Sequence, residues 1–342
     1  MSAQTKLDFG APEIECRDEL AVRGVRFSYL PAGRLLNRCG NQRMPFRWTI
    51  NPYRGCEFGC LYCYARYTHE FLELNDPTDF ERRILVKQGA ARALVRDLTR
   101  LGAAGEPIAI GTATDPYQPA ERKFGVTRSI LGVFAGLSGL ELSVTTKSAL
   151  IVRDLDLLAE IGRRSRLTVN FSLITLNRRL QRVLEPRAPR PALRLRALSR
   201  LARGGIRCCV LVMPVIPGLS DEPAALERLL AEARRAGASA VYWRSLFLRS
   251  AAARRFLPLV RERFSHLAPR IEAFYGRRAY PPQSYEAELG KLFDRLREKC
   301  GFHGTNQRSA RCDETGRADA PQAQLRLLES RQRPGAGRSE RD

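Results

Sequence analysis

Short apolar runs rich in β-branched and aromatic residues recur along the chain. Between them lie longer stretches whose apolar residues recur with helical spacing. The runs predict buried strands and the stretches predict amphipathic helices. The predicted strands are Trp48–Tyr53, Pro107–Ala113, Glu141–Thr146, Leu167–Leu173, Ile206–Ile216 and Ala240–Phe247. The predicted helices are Asp79–Leu101, Thr127–Leu137, Val152–Gly162, Pro191–Arg203, Asp221–Ala236, Ala251–Phe264 and Tyr285–Lys299.

Alternating strands and helices predict an α/β fold with a parallel sheet and helical crossovers. Six such units fit a partial (βα)6 TIM-like barrel and also a doubly wound sheet, and the periodicity leaves both open. In a barrel, the chemistry belongs to the loops at the C-terminal ends of the strands. We therefore look for functional side chains directly after the predicted strands.

The composition divides the chain into four parts. Residues 1–45 are mixed and polar and predict an N-terminal extension, and residues 46–250 hold the strand–helix units. Residues 251–303 predict a helical C-terminal extension. Residues 304–342 are poor in aromatic residues and rich in Arg, Glu, Gln and Gly, which predicts disorder.

The charge balance is strongly basic. The 342 residues include 58 basic and 36 acidic ones, for a formal net charge of +22. Residues 163–207 hold thirteen arginines and one acidic residue, Glu185, and residues 244–278 hold nine arginines and two glutamates. Because residues 313–342 hold six arginines and six acidic residues, the positive field belongs to the folded part. Such a field favours a polyanionic partner, with nucleic acid as the leading candidate.

The chain shows neither a membrane span nor a secretory signal. Its longest apolar run, 208–217, is about half a membrane span and contains two prolines. The first ten residues lack the charged-then-apolar order of a signal peptide. We therefore expect no membrane association and a cytoplasmic protein. Thiols stay reduced there, so clustered cysteines indicate metal binding or catalysis rather than disulfides.

Three of the nine cysteines form the strongest motif in the sequence. Cys56, Cys60 and Cys63 follow the first predicted strand with the spacing C-x3-C-x2-C, and Gly55 and Gly59 allow the backbone to curl around them. Thiolates select zinc, copper(I) or iron–sulfur clusters. A structural zinc ion wants four protein ligands. His69 is the nearest candidate for the fourth.

The same three thiolates suit a different metal group. Three close cysteines can bind three irons of a [4Fe–4S] cluster and leave the fourth iron open for another ligand. The spacing favours this alternative. A zinc-stabilised, non-catalytic nucleic-acid-binding protein stays open beside it at this stage.

The cysteine motif, with Tyr62 as the aromatic residue before the third cysteine, resembles the radical S-adenosylmethionine (SAM) superfamily. Segments at the ends of the later strands resemble its spore-photolyase-like branch, and the likeness covers roughly residues 45–250. The segments are 111–121, 145–148, 171–173, 184–189 and 214–221. The resemblance implies the partial barrel of the radical SAM type rather than the doubly wound sheet.

The resemblance also implies cofactors and a reaction. A [4Fe–4S] cluster on the three cysteines would bind SAM and cleave it reductively to a 5′-deoxyadenosyl radical that abstracts hydrogen from a substrate. The electron would come from a reductant such as flavodoxin or ferredoxin. By resemblance, the SAM-binding residues are Tyr62, Thr112, Thr114, Asp115, Lys147, Ser172, Arg187, Val215 and Ile216.

One departure from the branch bears on the substrate. Thr112 stands near the position where spore photolyase carries a hydrogen-donating cysteine, and no cysteine lies between Cys63 and Cys208. The resemblance therefore does not carry thymine-lesion repair over to this chain. Nucleic acid is the leading substrate class, with the two arginine-rich segments as the binding regions. A protein or a small metabolite is the alternative substrate.

Overall fold

The computed structural model describes residues 20–22, 24–101, 105–276 and 278–302. The strands are β1 (Leu20–Val22), β2 (Val25–Pro31), β3 (Asn37–Arg38), β4 (Trp48–Ile50), β5 (Tyr53–Arg54), β6 (Arg83–Gln88), β7 (Ile108–Ile110), β8 (Glu141–Thr146), β9 (Arg166–Ser172), β10 (Arg207–Val215) and β11 (Ala240–Ser245). The helices are α1 (Tyr67–Glu70), α2 (Asp79–Arg82), α3 (Ala90–Leu101), α4 (Ala120–Phe124), α5 (Val126–Ala135), α6 (Leu155–Arg164), α7 (Arg178–Leu184), α8 (Pro191–Arg203), α9 (Pro223–Arg235), α10 (Ser250–Arg263), α11 (Ala268–Tyr275) and α12 (Gln283–Lys299). Short 3-10 turns lie at Tyr64–Arg66, Ala149–Asp154 and Ser265–Leu267.

The main sheet contains six parallel strands in chain order, β4-β7-β8-β9-β10-β11, with β3 antiparallel at one edge. A doubly wound sheet would reverse direction at a switch point. This order does not reverse, so the partial barrel is confirmed and the doubly wound alternative is wrong. Because β3 and β11 end the sheet without pairing, the barrel stays open.

Leucine, valine, isoleucine, alanine and aromatic residues fill the core between sheet and helices. Val144, Val169 and Val210, on three adjacent strands, are fully buried. These three residues lie on the same face of the sheet, which packs in the core, whereas the residues on the other face of β8 are half-buried. The C-terminal ends of the parallel strands all lie at one edge of the sheet. The segments predicted to carry the chemistry meet at that edge.

A second sheet lies where the sequence predicted an uninterrupted helix. Its order is β1-β2-β6-β5, so β6 interrupts the predicted helix Asp79–Leu101, and that prediction is wrong between α2 and α3. Residues 84–87 of β6 are buried between β2 and β5. Gly89, with φ +72°, then turns the chain into α3. An apolar run this short does not reveal by periodicity whether it is strand or helix.

The C-terminal helices close over the cysteine segment and the end of the sheet. Phe256 and Val260 of α10 pack in the same apolar cluster as Cys56 and Cys60. Phe293 of α12 stacks on Trp243 of β11 at 5.1 Å between ring centroids. The predicted disorder of residues 304–342 lies outside the described residues. No helix within the described part of the chain is long and apolar enough to cross a membrane.

Candidate cluster and SAM site

The cysteine motif forms a tight loop directly after β5. Gly55 has φ +85°, and a Cβ atom there would lie 2.8 Å from the carbonyl oxygen of Phe80 and 2.9 Å from that of Arg83. The Cys56 amide donates to the same Phe80 carbonyl oxygen at 2.8 Å. Only glycine therefore allows the loop to approach α2 and β6 this closely.

The three thiols lie together in a buried environment. Burial raises the pKa of Cys56 and Cys63, and it raises the pKa of Cys60 to about 12. Asp115, Cys60 and Cys63 add to the rise in the pKa of Cys56. Because the thiolate is the metal-binding form, positive charge from bound iron would have to offset its burial.

The geometry favours a cluster over a single zinc ion. No group of three or more His, Cys, Asp or Glu side chains among the described residues is placed to hold one metal ion. His69 is buried, and its Nε2 lies 2.9 Å from the carbonyl oxygen of Arg83 while its ring packs edge-on against Phe80. Three thiols that each bind a different iron fit a [4Fe–4S] cluster.

A buried charge network joins the cysteine loop to the strand ends, and Glu185 lies at its centre. The Tyr62 hydroxyl donates to Oε1 of Glu185, Arg194 pairs with Oε2, and Nζ of Lys147 lies 3.8 Å from Oε1. Arg194 also donates to the carbonyl oxygen of Ser172 at 2.9 Å. Burial opposes the charge on Glu185, but the Arg194 guanidinium and the Lys147 ammonium outweigh it and lower the pKa of this carboxyl group.

Lys147 keeps hydrogen-bonding capacity within this network. Its ammonium group lies 5.9 Å from the centroid of the Tyr62 ring, and its positive charge acts against the burial that raises the pKa of Cys60. An ammonium group has three donors. The 3.8 Å separation from Glu185 is an ion pair rather than a short hydrogen bond. Lys147 can therefore donate to a bound polar ligand.

The segment after β7 ties the cysteine loop to the sheet. The Thr114 hydroxyl donates to the carbonyl oxygen of Gly55 at 2.5 Å and accepts from Gln118 at 3.0 Å. Asp115 accepts from the Thr146 hydroxyl and from the Lys147 amide, both at 2.7 Å. These contacts make Thr114 and Asp115 positioning residues. Their contact with the SAM amino group stays a prediction.

Thr112 and Ser172 lie at the C-terminal ends of their strands with different surroundings. Thr112 is half-buried; its hydroxyl accepts from Asn51 at 3.3 Å, and its carbonyl oxygen accepts from the Tyr64 hydroxyl. The Ser172 hydroxyl is buried and has no hydrogen-bond partner among the described residues. A buried hydroxyl without a partner is costly, so Ser172 fits contact with a polar ligand.

The remaining SAM candidates differ in their distance from the cysteines. Ile216 belongs to the apolar cluster that contains Cys56, Cys60 and Tyr62, whereas Val215 packs in the barrel core. Arg187 is exposed beside the cysteine loop, and its amide donates to the carbonyl oxygen of Phe58 at 3.4 Å. The structure therefore brings Ile216 and Arg187 to the cysteine loop and leaves Val215 behind it.

Sequence reasoning missed the charged residues that support the loop. Arg66 is buried, donates to the carbonyl oxygen of Cys60 at 2.9 Å and pairs with Glu81. Glu185 and Arg194 were missed as well. One signal was available for Glu185, because a single carboxylate among thirteen arginines is a candidate for a buried ion pair. No comparable signal marks Arg66 or Arg194.

The chain has detectable sequence relatives. A family model described as the Radical SAM superfamily matches residues 50–230. An uncharacterized protein of Mycobacterium tuberculosis H37Rv is 37% identical over 267 residues, which cover 78% of each chain. An uncharacterized protein of Acidianus two-tailed virus is 25% identical over 264 residues, or 75% of this chain and 81% of that protein.

Solved structures share the fold. A spore photoproduct lyase variant with bound AdoMet and dinucleoside spore photoproduct matches with a TM-score of 0.59 at 14% identity, covering 80% of this chain and 79% of that chain. A second variant of the same enzyme matches with a TM-score of 0.59 at 15% identity, covering 81% and 80%. At these identities the likeness establishes the fold.

Proposed function

Since the chain belongs to the radical SAM superfamily, we propose that it is an enzyme that binds a [4Fe–4S] cluster through Cys56, Cys60 and Cys63 and acts on nucleic acid. When bound and reduced, the cluster supplies one electron to the SAM sulfonium, which yields methionine and a 5′-deoxyadenosyl radical able to take hydrogen from a substrate. The observation that carries the cofactor assignment is the buried three-thiol loop beside Lys147 and the unpartnered Ser172 hydroxyl.

The chain's own residues bind and orient the ligands in this proposal. The Lys147 ammonium and the Ser172 hydroxyl donate to polar groups of SAM, and Glu185 fixes the position of Lys147. The aromatic ring of Tyr62 and the side chain of Ile216 offer an apolar surface to the adenine. The apolar cluster around the cysteines, which includes α10, excludes water from the radical.

The choice of nucleic acid rests on the position of unpaired arginines. Arg178, Arg179 and Arg182 are exposed on α7, directly after the C-terminal end of β9, and make no ion pair within the described part of the chain. The Leu184 carbonyl at the end of α7 accepts from the Leu61 amide at 2.9 Å. Positive charge therefore borders the cysteine loop. A neighbour in fold that binds a dinucleoside supports the same choice.

The cofactor assignment is tested by anaerobic reconstitution of the full chain. We expect about four irons and four sulfides per chain, and 5′-deoxyadenosine on addition of SAM and a reductant. Cys60→Ala should lose both the full cluster and SAM cleavage. Cys300→Ser, which changes a half-buried cysteine at the C-terminal end of α12, serves as the control and should keep both. Stoichiometric zinc with no SAM cleavage would contradict the assignment.

The substrate class is tested by salt-dependent binding of DNA and RNA oligonucleotides. Replacing Arg178 and Arg179 with alanine should lower affinity and reduce the slope of log K against log salt by about 1.5, since each phosphate contact contributes about 0.7–0.9. The matched control replaces Arg163 and Arg164, which pair with Glu160 at the opposite end of β9. Weak binding with no salt slope would instead favour a protein or small-metabolite substrate.

A further inference from the structure

Exposed aromatic side chains extend outward from the third cysteine. Tyr64, Tyr67 and Phe71 are 45%, 40% and 68% exposed. The Tyr64 hydroxyl donates to the carbonyl oxygen of Thr112, at the C-terminal end of β7. The rings of Tyr67 and Phe71 meet edge-to-face with 5.7 Å between centroids. We call these three residues the aromatic stripe; it begins at the candidate SAM site and continues over α1.

The backbone beneath the aromatic stripe is held firmly. His69, on the inner side of α1, is buried, and Glu70 pairs with Arg254 of α10 at 2.7 Å. The Thr68 hydroxyl donates to the carbonyl oxygen of Ala65 at 2.7 Å. The rings are therefore presented on a fixed support. Adjacent exposed aromatic rings of this kind mark interaction surfaces.

The cysteine loop separates the aromatic stripe from the unpaired arginines of α7. On one side the loop bonds to the end of α7 through the Leu61 amide, and on the other it continues through Cys63 into Tyr64. Ring faces and guanidinium groups thus flank the same site. A single-stranded nucleic acid offers the matching chemistry, because its bases have free faces for stacking and its phosphates carry negative charge.

We propose that the aromatic stripe and the arginines of α7 form one binding surface for single-stranded nucleic acid, with bases stacked on Tyr67 and Phe71 and phosphates bound by Arg178, Arg179 and Arg182. The proposal rests on nucleic acid as the substrate class and adds the form of the strand and the residues that hold its bases. Duplexes do not fit, because their base faces are already stacked and cannot reach the rings.

The test measures binding by the full-length reconstituted protein to three labelled oligonucleotides of equal length: a mixed-sequence single strand, the matching duplex and a single strand of abasic sites. Tyr67→Ala and Phe71→Ala should each weaken binding of the mixed-sequence strand about 5- to 150-fold, the range expected for loss of one stacking contact. Binding of the abasic strand should not change, since it has phosphates but no bases. The salt slope should also stay as in the parent protein.

Two controls separate stacking from loss of structure. Tyr67→Phe keeps the ring and should keep the affinity. Tyr280→Ala removes another exposed ring, 53% accessible and in contact with Phe247 at 4.9 Å, and should also bind as the parent does. Thermal melting and iron content identify any variant that has failed to fold. If Tyr67→Ala fails to fold, Tyr67→Leu replaces it in the binding measurement, because leucine keeps an apolar side chain without a ring.

Four results would overturn the proposal. The first is tighter binding of the duplex than of the single strand. The second is equal loss of affinity for the abasic and mixed-sequence strands in Tyr67→Ala. The third is parent-like binding by both Tyr67→Ala and Phe71→Ala while replacement of the α7 arginines reduces the salt slope. That result would contradict base stacking on the aromatic stripe but would still support nucleic acid as the substrate class. Absence of all nucleic-acid binding beside normal SAM cleavage would remove the substrate class as well and leave the radical SAM chemistry standing.

Discussion

Glu185 shows how a single buried side chain can set the geometry of the candidate site. One oxygen faces Tyr62 and Lys147 and the other faces Arg194, so the carboxylate connects the cysteine loop to the ends of β8 and β9. Removing one partner of a buried ion pair leaves an uncompensated charge and costs about 3–5 kcal/mol. Because Lys147 and Arg194 both pair with Glu185, loss of its negative charge would leave two positive charges without their partner.

Glu185→Gln is therefore expected to disturb ligand binding as well as stability. The amide keeps the size of the side chain but cannot offset the charges of Lys147 and Arg194. We expect SAM to bind about tenfold more weakly, equivalent to about 1.4 kcal/mol, and the Tm to fall by several degrees. Isothermal titration of the reconstituted protein with SAM measures the first effect. Glu160→Gln, which breaks only surface pairs with Arg163 and Arg164, is the control; equal SAM affinity in both variants would refute the positioning role.

The sequence predicted the residues of this site unevenly, for physical reasons. The cysteines are recognisable because thiolate ligands must be closely spaced on a short loop. Lys147 and Ser172 were predictable as positions at strand ends. Arg194 was not, because a buried arginine on a helix looks like every other arginine in an arginine-rich chain until the fold places Glu185 opposite it.

At the scale of elements, Gly55 decides whether the cysteine loop can form. Both Gly55 and Gly89 have positive φ, but a Cβ at Gly55 would meet two carbonyl oxygens within 3 Å, whereas a Cβ at Gly89 would meet nothing within 4 Å. Gly55→Ala should therefore reduce the iron bound after reconstitution to well below that of Gly89→Ala. Because both variants carry the same kind of backbone strain, about 1 kcal/mol, the difference between them reports the steric contact. Equal iron content would show that the loop tolerates the displacement.

Strand β6 carries a second element-scale prediction, one that depends on pH. Burial, followed by the nearby Arg54 guanidinium, lowers the pKa of Lys87 to about 8. Between pH 8 and the ordinary value of 10.5, the unfolded chain binds a proton that the folded chain does not, so stability rises with pH across this window. Below pH 8 the full penalty applies, and Lys87→Met should stabilise the protein by roughly 3 kcal/mol.

Denaturant unfolding at several pH values measures this effect. The advantage of Lys87→Met over the parent should shrink steadily from pH 8 to pH 10.5. Lys291→Met replaces an exposed lysine of α12 and should show no such trend. A constant difference between Lys87→Met and the parent at every pH would mean that the substitution acts through packing and not through the charge.

At the scale of the whole molecule, the six strand–helix units were predictable from the sequence pattern and their barrel order from the family resemblance, whereas the second sheet was predictable from neither. From β7 onward, each strand of the main sheet is followed by an amphipathic helix, so the strand–helix pattern repeats along the sequence. The β1-β2-β6-β5 sheet joins segments distant in sequence through short runs, and its pairing depends on contacts that only the complete fold creates. The net charge could be calculated from the sequence, but which arginines form ion pairs could not be predicted from it.

The positions of the paired and unpaired arginines predict which interactions salt should weaken. In residues 244–278, Arg254, Arg255 and Arg261 each face a glutamate, whereas the arginines of α7 are unpaired within the described residues. The unpaired positive charge of α7 thus lies at the end of the barrel that holds the cysteine loop. Long-range attraction of this kind speeds association and is screened by salt, while contacts buried around the cysteines are screened much less.

Raising the ionic strength from about 50 to 200 mM should therefore separate substrate capture from SAM cleavage, because counterion release weakens phosphate contacts over this range. We expect product formation on a nucleic-acid substrate, at concentrations below saturation, to fall at least tenfold. SAM cleavage measured without substrate should change less than twofold.

Replacing Arg178 and Arg179 should make product formation slower at low salt and less sensitive to added salt, since the attraction is then already reduced. A parallel fall of both activities would place the salt effect at the SAM site itself and contradict the assignment of α7 to substrate capture.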